Sequence, residues 1–550
     1  MAKIKLTGHA SGTGVITLTA PNTNTDRTIT LPDESITLSA GATSLNGLSD
    51  ATVYNTTTIG LGSGALDSMS SGNGRNTAVG YNALTANTSG YNNTAVGHLA
   101  GTAITDGYQN TLLGDRTGTA LTTGDNNTAI GQHALKTSTT GENDTAIGFD
   151  ALQGKTTGNG RNVAVGAGSM YTTTTGYQNV GIGYNSLRAH TTGYMNTAVG
   201  NDSLFSVTTG YENAALGHNA LYFSTANHNT AMGAYSGNST TTGARNTFIG
   251  SNAGRANTTA SNNTAVGRNA LTTNTTGSDN VAIGKSALLS NTTGSTLTAL
   301  GTNTLESNTT GSSNTGLGQG ALNANTTGSE ATAVGRNALI NQTTATNNVA
   351  LGYDCMKTVT TGGENTSVGT YALQAVTNGN NNTAIGYASG QTTTSGTYNI
   401  MLGRAAYSSS ATASNECTLG GTYVNNLRCN DTSISSLSDS RDKTSIEDIP
   451  LGLAFINTVR PVAFDWNCRE DNEDLGLVGE MDVHKAGKKD FGFIAQELKT
   501  AADATDYADH MRLVSESNPN RLEADPMKMF PILIKAIQEL SAKVTALESE

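Results

Sequence analysis

From about Thr57 to Gly420, apolar residues occur in short pulses separated by Thr, Asn, Ser and Gly, and the pulses return with a period near 17. The glycines mark it most simply, at Gly80, Gly97, Gly114, Gly131 and Gly148, and again at Gly318, Gly335, Gly352, Gly369, Gly386 and Gly403. The unit reads T-A-V-G-x-x-A-L-x-x-x-T-T-G-x-x-N. It holds one β-prone segment, as in Thr77-Ala78-Val79-Gly80, a second apolar pair, Ala83-Leu84, and a turn, Thr88-Ser89-Gly90-Tyr91-Asn92-Asn93. Such a unit cannot bury its apolar residues alone, which predicts stacked coils of a parallel β-roll or solenoid. At about 4.8 Å per coil, some twenty coils make a rod on the order of 100 Å long. Val, Ile and Leu are expected to fill the narrow interior or to face a partner chain, and the Asn before each strand to form a ladder of side-chain hydrogen bonds.

The pattern differs at both ends. Residues 4–38 alternate apolar and polar in short runs, Gly14-Val15-Ile16-Thr17-Leu18-Thr19 and Arg27-Thr28-Ile29-Thr30-Leu31, around the turn-rich Pro21-Asn22-Thr23-Asn24. They predict a small β module, followed by a linker from Gly41 to Asn55. Near the other end, Phe530, Leu533, Ile537, Leu540, Val544 and Leu547 fall at alternating spacings of three and four, a coiled-coil seam that an amphipathic surface helix would share. Glu539, Lys543 and Glu548 lie outside the seam and favour self-association.

Composition narrows the classes. The 550 residues include 65 glycines and only 5% aromatics, which argues for repetition rather than one large core. A net charge of −12 opposes a nucleic-acid partner, since no basic run exists to neutralise phosphates. The sequence holds no apolar run long enough for a membrane helix, and the first residues have no signal-peptide character. Synthesis in a cytoplasm without self-export is therefore expected. Cys355, Cys417, Cys429 and Cys468 form no C-x-x-C pair, so no disulfide framework, metal site or cofactor is expected.

The chain changes character at Ser438 to Lys443, S-D-S-R-D-K. Beyond it lie the lone Trp466 and roughly half of all charged residues. Ser438 and Lys443 are candidate catalytic residues. A deprotonated lysine beside a serine hydroxyl takes its proton as the oxygen attacks a carbonyl, and the nearest carbonyl is that of Leu437. A capped turn before a short helix would give the same letters.

The run Ser438, Asp439, Arg441, Lys443 and Ile446, then Arg460-Pro461-Val462-Ala463-Phe464-Asp465-Trp466, Gly492-Phe493-Ile494-Ala495-Gln496-Glu497-Leu498 and Ala536-Ile537-Gln538-Glu539-Leu540, resembles the endosialidase-type intramolecular chaperone of phage tailspikes and tail fibres. The resemblance covers about residues 436–550. It implies trimerisation and self-cleavage at Leu437-Ser438 by a Ser438–Lys443 dyad, with Asp439 and Arg441 orienting the turn. The 17-residue unit is similar to the head repeats of trimeric bacterial adhesins, β-rolls packed three around an axis, though longer than their usual unit.

Other features weigh less. Tyr177, Tyr194 and Tyr211 fall in register, as do Tyr91 and Tyr108, and either cover turns or offer rings to sugars. Asp125 and Glu142, one coil apart, invite a glycosidase reading, yet no aromatic or basic cleft surrounds them. The N-x-T triplets, the fragments Gly60-Leu61-Gly62 and Gly181-Ile182-Gly183, and the eight histidines add no site.

The expected protein is mainly β: an N-terminal β attachment module with linker over 1–56, a trimeric β-roll shaft over 57–420, a connector over 421–437, and an α-rich chaperone over 438–550 ending in a coiled coil. The expected function is that of a homotrimeric phage tail fibre on the virion. It would be fixed to the tail or baseplate by its N-terminus and bind a host cell-surface glycan, without nucleic-acid binding, membrane insertion or activity on other substrates. The competing functions are a glycan-degrading tailspike and a trimeric bacterial surface adhesin.

Overall fold

A computed structural model describes residues 51–55, 57–70, 74–421, 424, 443–465, 489–516 and 522–549. The proposed N-terminal module lies outside the described residues except at its end. There, Ala51–Asn55 within the expected linker is a strand, paired antiparallel with Thr58–Leu61. The chain divides into two compact units, one up to Gly181 and the other from Ile182 on.

In the first unit the three-residue strands Thr77–Val79, Thr94–Val96, Thr111–Leu113, Thr128–Ile130 and Thr145–Ile147 stack in parallel, Thr77 opposite Thr94 and Thr94 opposite Thr111. The second unit repeats the arrangement from Thr197–Val199 to Cys417–Leu419. The offset is 17 residues for most pairs, as in the side-chain amide bonds that Asn110 donates to Asn93 and Asn213 to Asn196. Small irregularities are absorbed: Thr145 pairs with Val163, and Ala214 with Thr230. The fold is therefore a parallel β-solenoid with coils of the expected length.

The interior differs from the simplest expectation for Val, Ile and Leu. The middle strand residue, Ala78 or Ala95, is the one that points inward and is fully buried, while the third, such as Leu300, Leu317 or Leu351, is exposed on the outside. Inside, the space beside each Ala is filled by the Leu of the A-L pair. Leu84, Leu135 and Leu152 are fully buried with φ of 54°, 53° and 51°, so burial of the side chain offsets a left-handed backbone. Where the middle residue is large, its neighbours shrink. Phe248 is flanked by Gly237 and Gly254 in the Leu position, and a Cβ on Gly237 would lie 2.7 Å from the Phe248 ring. Leu112 is matched in the same way by Gly101 and Gly118.

Two buried amide ladders complete the coil. Asn93 donates its backbone N–H to Oδ1 of Asn76 at 2.8 Å, Asn110 does the same to Asn93 at 3.0 Å, and the Asn110 side chain also donates to the Gly124 carbonyl at 2.9 Å. In the second unit Asn257, Asn274, Asn291, Asn308, Asn325 and Gln342 form another, each side-chain amide donating to the preceding Oδ1 at 2.8–3.2 Å. These ladders meet the polar groups of the buried turns they run through from the adjoining coils.

The C-terminal part contains α1 (Leu453–Ile456), a strand Val462–Asp465 antiparallel to Lys489–Gly492, α2 (Ala495–Asp503), α3 (Ala508–Met511), a short pair Val514–Ser515 with Glu523–Ala524, and α4 (Phe530–Glu548). Its core gathers Phe455, Leu498, Ala502, Met511, Leu513, Met529 and Ile532.

Candidate functional site

Specific contacts join the second C-terminal motif to the third and tie the start of α1 to the fourth, while most of the first lies outside the described residues. Val462 pairs with Gly492 across the antiparallel strands, joining the second motif to the third. Arg460 grips Glu497 with two charge-assisted bonds, Nε to Oε2 at 2.9 Å and Nη2 to Oε1, and these bonds hold the Glu497 carboxyl below the usual range. The backbone N–H of Leu453, at the start of α1, donates to Oε2 of Glu539 in the fourth motif at 2.8 Å. That carboxylate caps α1 in place of a side chain at the cap position itself.

Helix α4 has two faces. Ile532 and Ala536 are buried against the core, whereas the seam residues Phe530, Leu533, Ile537, Leu540, Val544 and Leu547 are exposed, Ile537 at 65% and Leu547 at 72%. Among the described residues, nothing covers the apolar seam along this 19-residue helix.

Of the residues proposed for chemistry, Leu437, Ser438, Asp439 and Arg441 lie outside the described residues. Lys443 is described and exposed. Trp466 also lies outside, as do Cys429 and Cys468. Cys355 is buried, its thiol pushed up to about 11 by burial, and its Sγ donates to Ser367 Oγ at 3.0 Å, while Cys417 is exposed.

On the coils, Tyr91 and Tyr108 stack with centroids 5.0 Å apart, and Tyr194 and Tyr211 at 4.9 Å, the ring planes of each pair nearly parallel. The Asp125 carboxylate accepts the backbone N–H of Tyr108 at 2.8 Å, so this acid holds a turn. Sequence reasoning missed an open depression of about 360 Å³ in the second unit, where Gly363 leaves a gap beside Thr346, Glu364, Asn381 and Tyr398. The signal was present as Gly363 at a register that the adjoining coils fill with Ser329, Thr346, Asn380 and Thr397.

Residues 438–510 match the family described as chaperone of endosialidase. No curated protein and no solved structure matches the chain. The chain therefore joins a β-solenoid of 17-residue coils to an endosialidase-type chaperone domain, a combination that fits a tail fibre or tailspike.

Proposed function

We propose that this chain is the subunit of a homotrimeric phage tail fibre that binds a host cell-surface glycan. In this reading its chaperone domain aligns three chains and then cuts itself off between Leu437 and Ser438. The observation that carries the reading is the family match, which begins at Ser438, the residue assigned as nucleophile from the sequence. Parallel β pairing is slow and open to register slips, so an aligning nucleus beside a repetitive shaft has a physical role.

Two surfaces support assembly. The α4 seam would pack as a coiled coil with its copies. The outward column Leu300, Leu317, Val334, Leu351 and Ile385 runs from coil to coil and would bury against neighbouring shafts. In cleavage, Ser438 Oγ attacks the Leu437 carbonyl, Lys443 takes the hydroxyl proton and returns it to the departing amide nitrogen, and water opens the resulting ester. A lysine acts this way only when desolvation or nearby positive charge removes its proton at neutral pH, and Arg441 is the candidate neighbour. Because Lys443 is exposed in the single chain, that desolvation is assigned to the trimer, which delays cutting until folding is complete. The N-terminus would attach to the tail or baseplate. The test is the mass of the purified protein, the N-terminal sequence of any small fragment, and light scattering of the large one. A single uncut monomeric chain overturns the reading.

A further inference from the structure

The solenoid brings into one column residues that the sequence keeps 17 apart. The register that follows each ladder glycine holds Arg268, Lys285, Thr302, Gln319, Arg336, Tyr353, Thr370, Tyr387 and Arg404 in nine successive coils. All but Thr370 are exposed, and no carboxylate occupies the register in these nine coils, although the chain as a whole carries a charge of −12. The Arg336 guanidinium lies over the Tyr353 ring at 5.7 Å, and that of Arg404 over Tyr387 at 5.6 Å. The next register is mostly amide or small, with Asn269, Asn303 and Asn337. Its one acid, Asp354, is engaged by Lys357 at 3.0 Å and by Asn337 at 2.9 Å. On the other flank stands the outward apolar column.

We propose that this column is a binding site for an anionic polysaccharide laid across successive coils, its carboxylate or phosphate groups on Arg268, Lys285, Arg336 and Arg404 and its sugar faces on Tyr353 and Tyr387. The guanidinium is suited to planar oxyanions, and an exposed ring beside it offers an apolar face with a polar tip. The spacing selects the kind of polymer. Four cations over nine coils of about 4.8 Å are far sparser than the phosphates of duplex DNA, one per about 1.7 Å of axis, so sparse acidic groups on a sugar chain fit better than nucleic acid. The proposal rests on the reading that the fibre binds a cell-surface glycan and narrows that glycan to an acidic one.

The test measures binding of hyaluronan and polygalacturonate to the full-length fibre, with dextran as neutral polymer and oligo-dT as nucleic acid, at low and high salt. Susceptible cells are decorated in parallel. The acidic polysaccharides should bind and dextran should not, with affinity falling as salt rises. Arg336→Ala with Arg404→Ala should weaken binding roughly tenfold, and Tyr387→Ala several-fold, whereas Arg255→Ala, in another register, should leave it unchanged. Assembly of each variant is checked by light scattering. Cell decoration without binding of either acidic polymer overturns the proposal and leaves the glycan reading standing. Binding unaffected by the double variant, or oligo-dT bound as tightly as the polysaccharides, overturns it as well. If cells are not decorated at all, the parent reading fails.

Discussion

The Lys155 ammonium and the Asp144 carboxylate are buried within electrostatic reach of each other in the first unit, at positions that other coils give to amides. Lys155 Nζ donates to the Gly176 carbonyl at 3.1 Å, and Asp144 Oδ1 accepts both the N–H and the side-chain amide of Asn162 at 3.0 Å. Oδ2 of Asp144 is buried with no hydrogen-bond partner. Burial pushes the Asp144 carboxyl up to about 6 against the opposing pull of Lys155, and burial lowers the Lys155 ammonium.

That pair sets a pH dependence of known sign. The folded value of Asp144 lies above the unfolded one near 3.9, so its contribution to stability is fully present below that pH and is lost as pH rises through about 6. Local stability around Thr145 and Val163 should therefore fall between about pH 4 and pH 6, by on the order of 3 kcal/mol. Lys155→Asn alone should destabilise further at pH 7, since it leaves a buried carboxylate unpaired. Asp144→Asn with Lys155→Asn should complete the Asn ladder through position 144, stabilise at pH 7 by roughly 1–3 kcal/mol and flatten the profile. Hydrogen exchange of these coils against pH checks all three, and an additive double variant contradicts the coupling.

The glycine after each strand is required by two separate effects. Gly318 has φ +134°, and a Cβ there would sit 2.5 Å from the Gly335 carbonyl oxygen. Gly318→Ala should lose protection in the strands Thr315–Leu317 and Thr332–Val334, at a cost above the roughly 1–3 kcal/mol of backbone strain alone. Gly158→Ala, at φ +89° with open space around the position, carries only the strain and should lose less. Equal losses at the two sites would remove the clash from the account.

The α4 seam yields a third expectation. Ile537→Asp with Leu540→Asp should convert the proposed trimer to monomers by light scattering while the chain's own core around Phe455 and Ile532 stays folded, because both substituted residues are exposed in the single chain. A variant that remains trimeric would move the contact to another surface.

The coil was legible because glycine and Asn recur for steric and hydrogen-bonding reasons at one fixed place each, Gly80 with Gly97 and Asn93 with Asn110. Which face of a three-residue strand points inward was not, since Thr77-Ala78-Val79 puts its smallest residue inside, against the usual bias for the larger apolar one. The left-handed Leu84 was equally hidden, because its conformation is imposed by the stack and not by local preference. The basic column was invisible for a different reason. Arg336 and Arg404 are isolated charges in a polar run, and only the 17-residue register places them in one column. In the C-terminal domain, the family motifs could be seen, but the bond from Leu453 to Glu539, 86 residues apart, comes from tertiary packing.

The last prediction concerns Leu437-Ser438. With Ser438 as nucleophile, Ser438→Ala should leave a full-length chain that is still trimeric, because the seam on α4 and the coils are untouched. Lys443→Ala and Lys443→Arg should do the same, since neither side chain can serve as a base at neutral pH. Asp439→Ala and Arg441→Ala should slow the cut without abolishing it, as expected of residues that orient the turn. Cleavage should also require assembly: Ile537→Asp with Leu540→Asp, by preventing the proposed trimer to which the desolvation of Lys443 is assigned, should leave the chain uncut although the proposed dyad is intact. Intact mass over time distinguishes these outcomes. Undiminished cutting in both Ser438→Ala and Lys443→Ala would defeat the dyad, and rapid cutting of a monomeric variant would separate the chemistry from assembly.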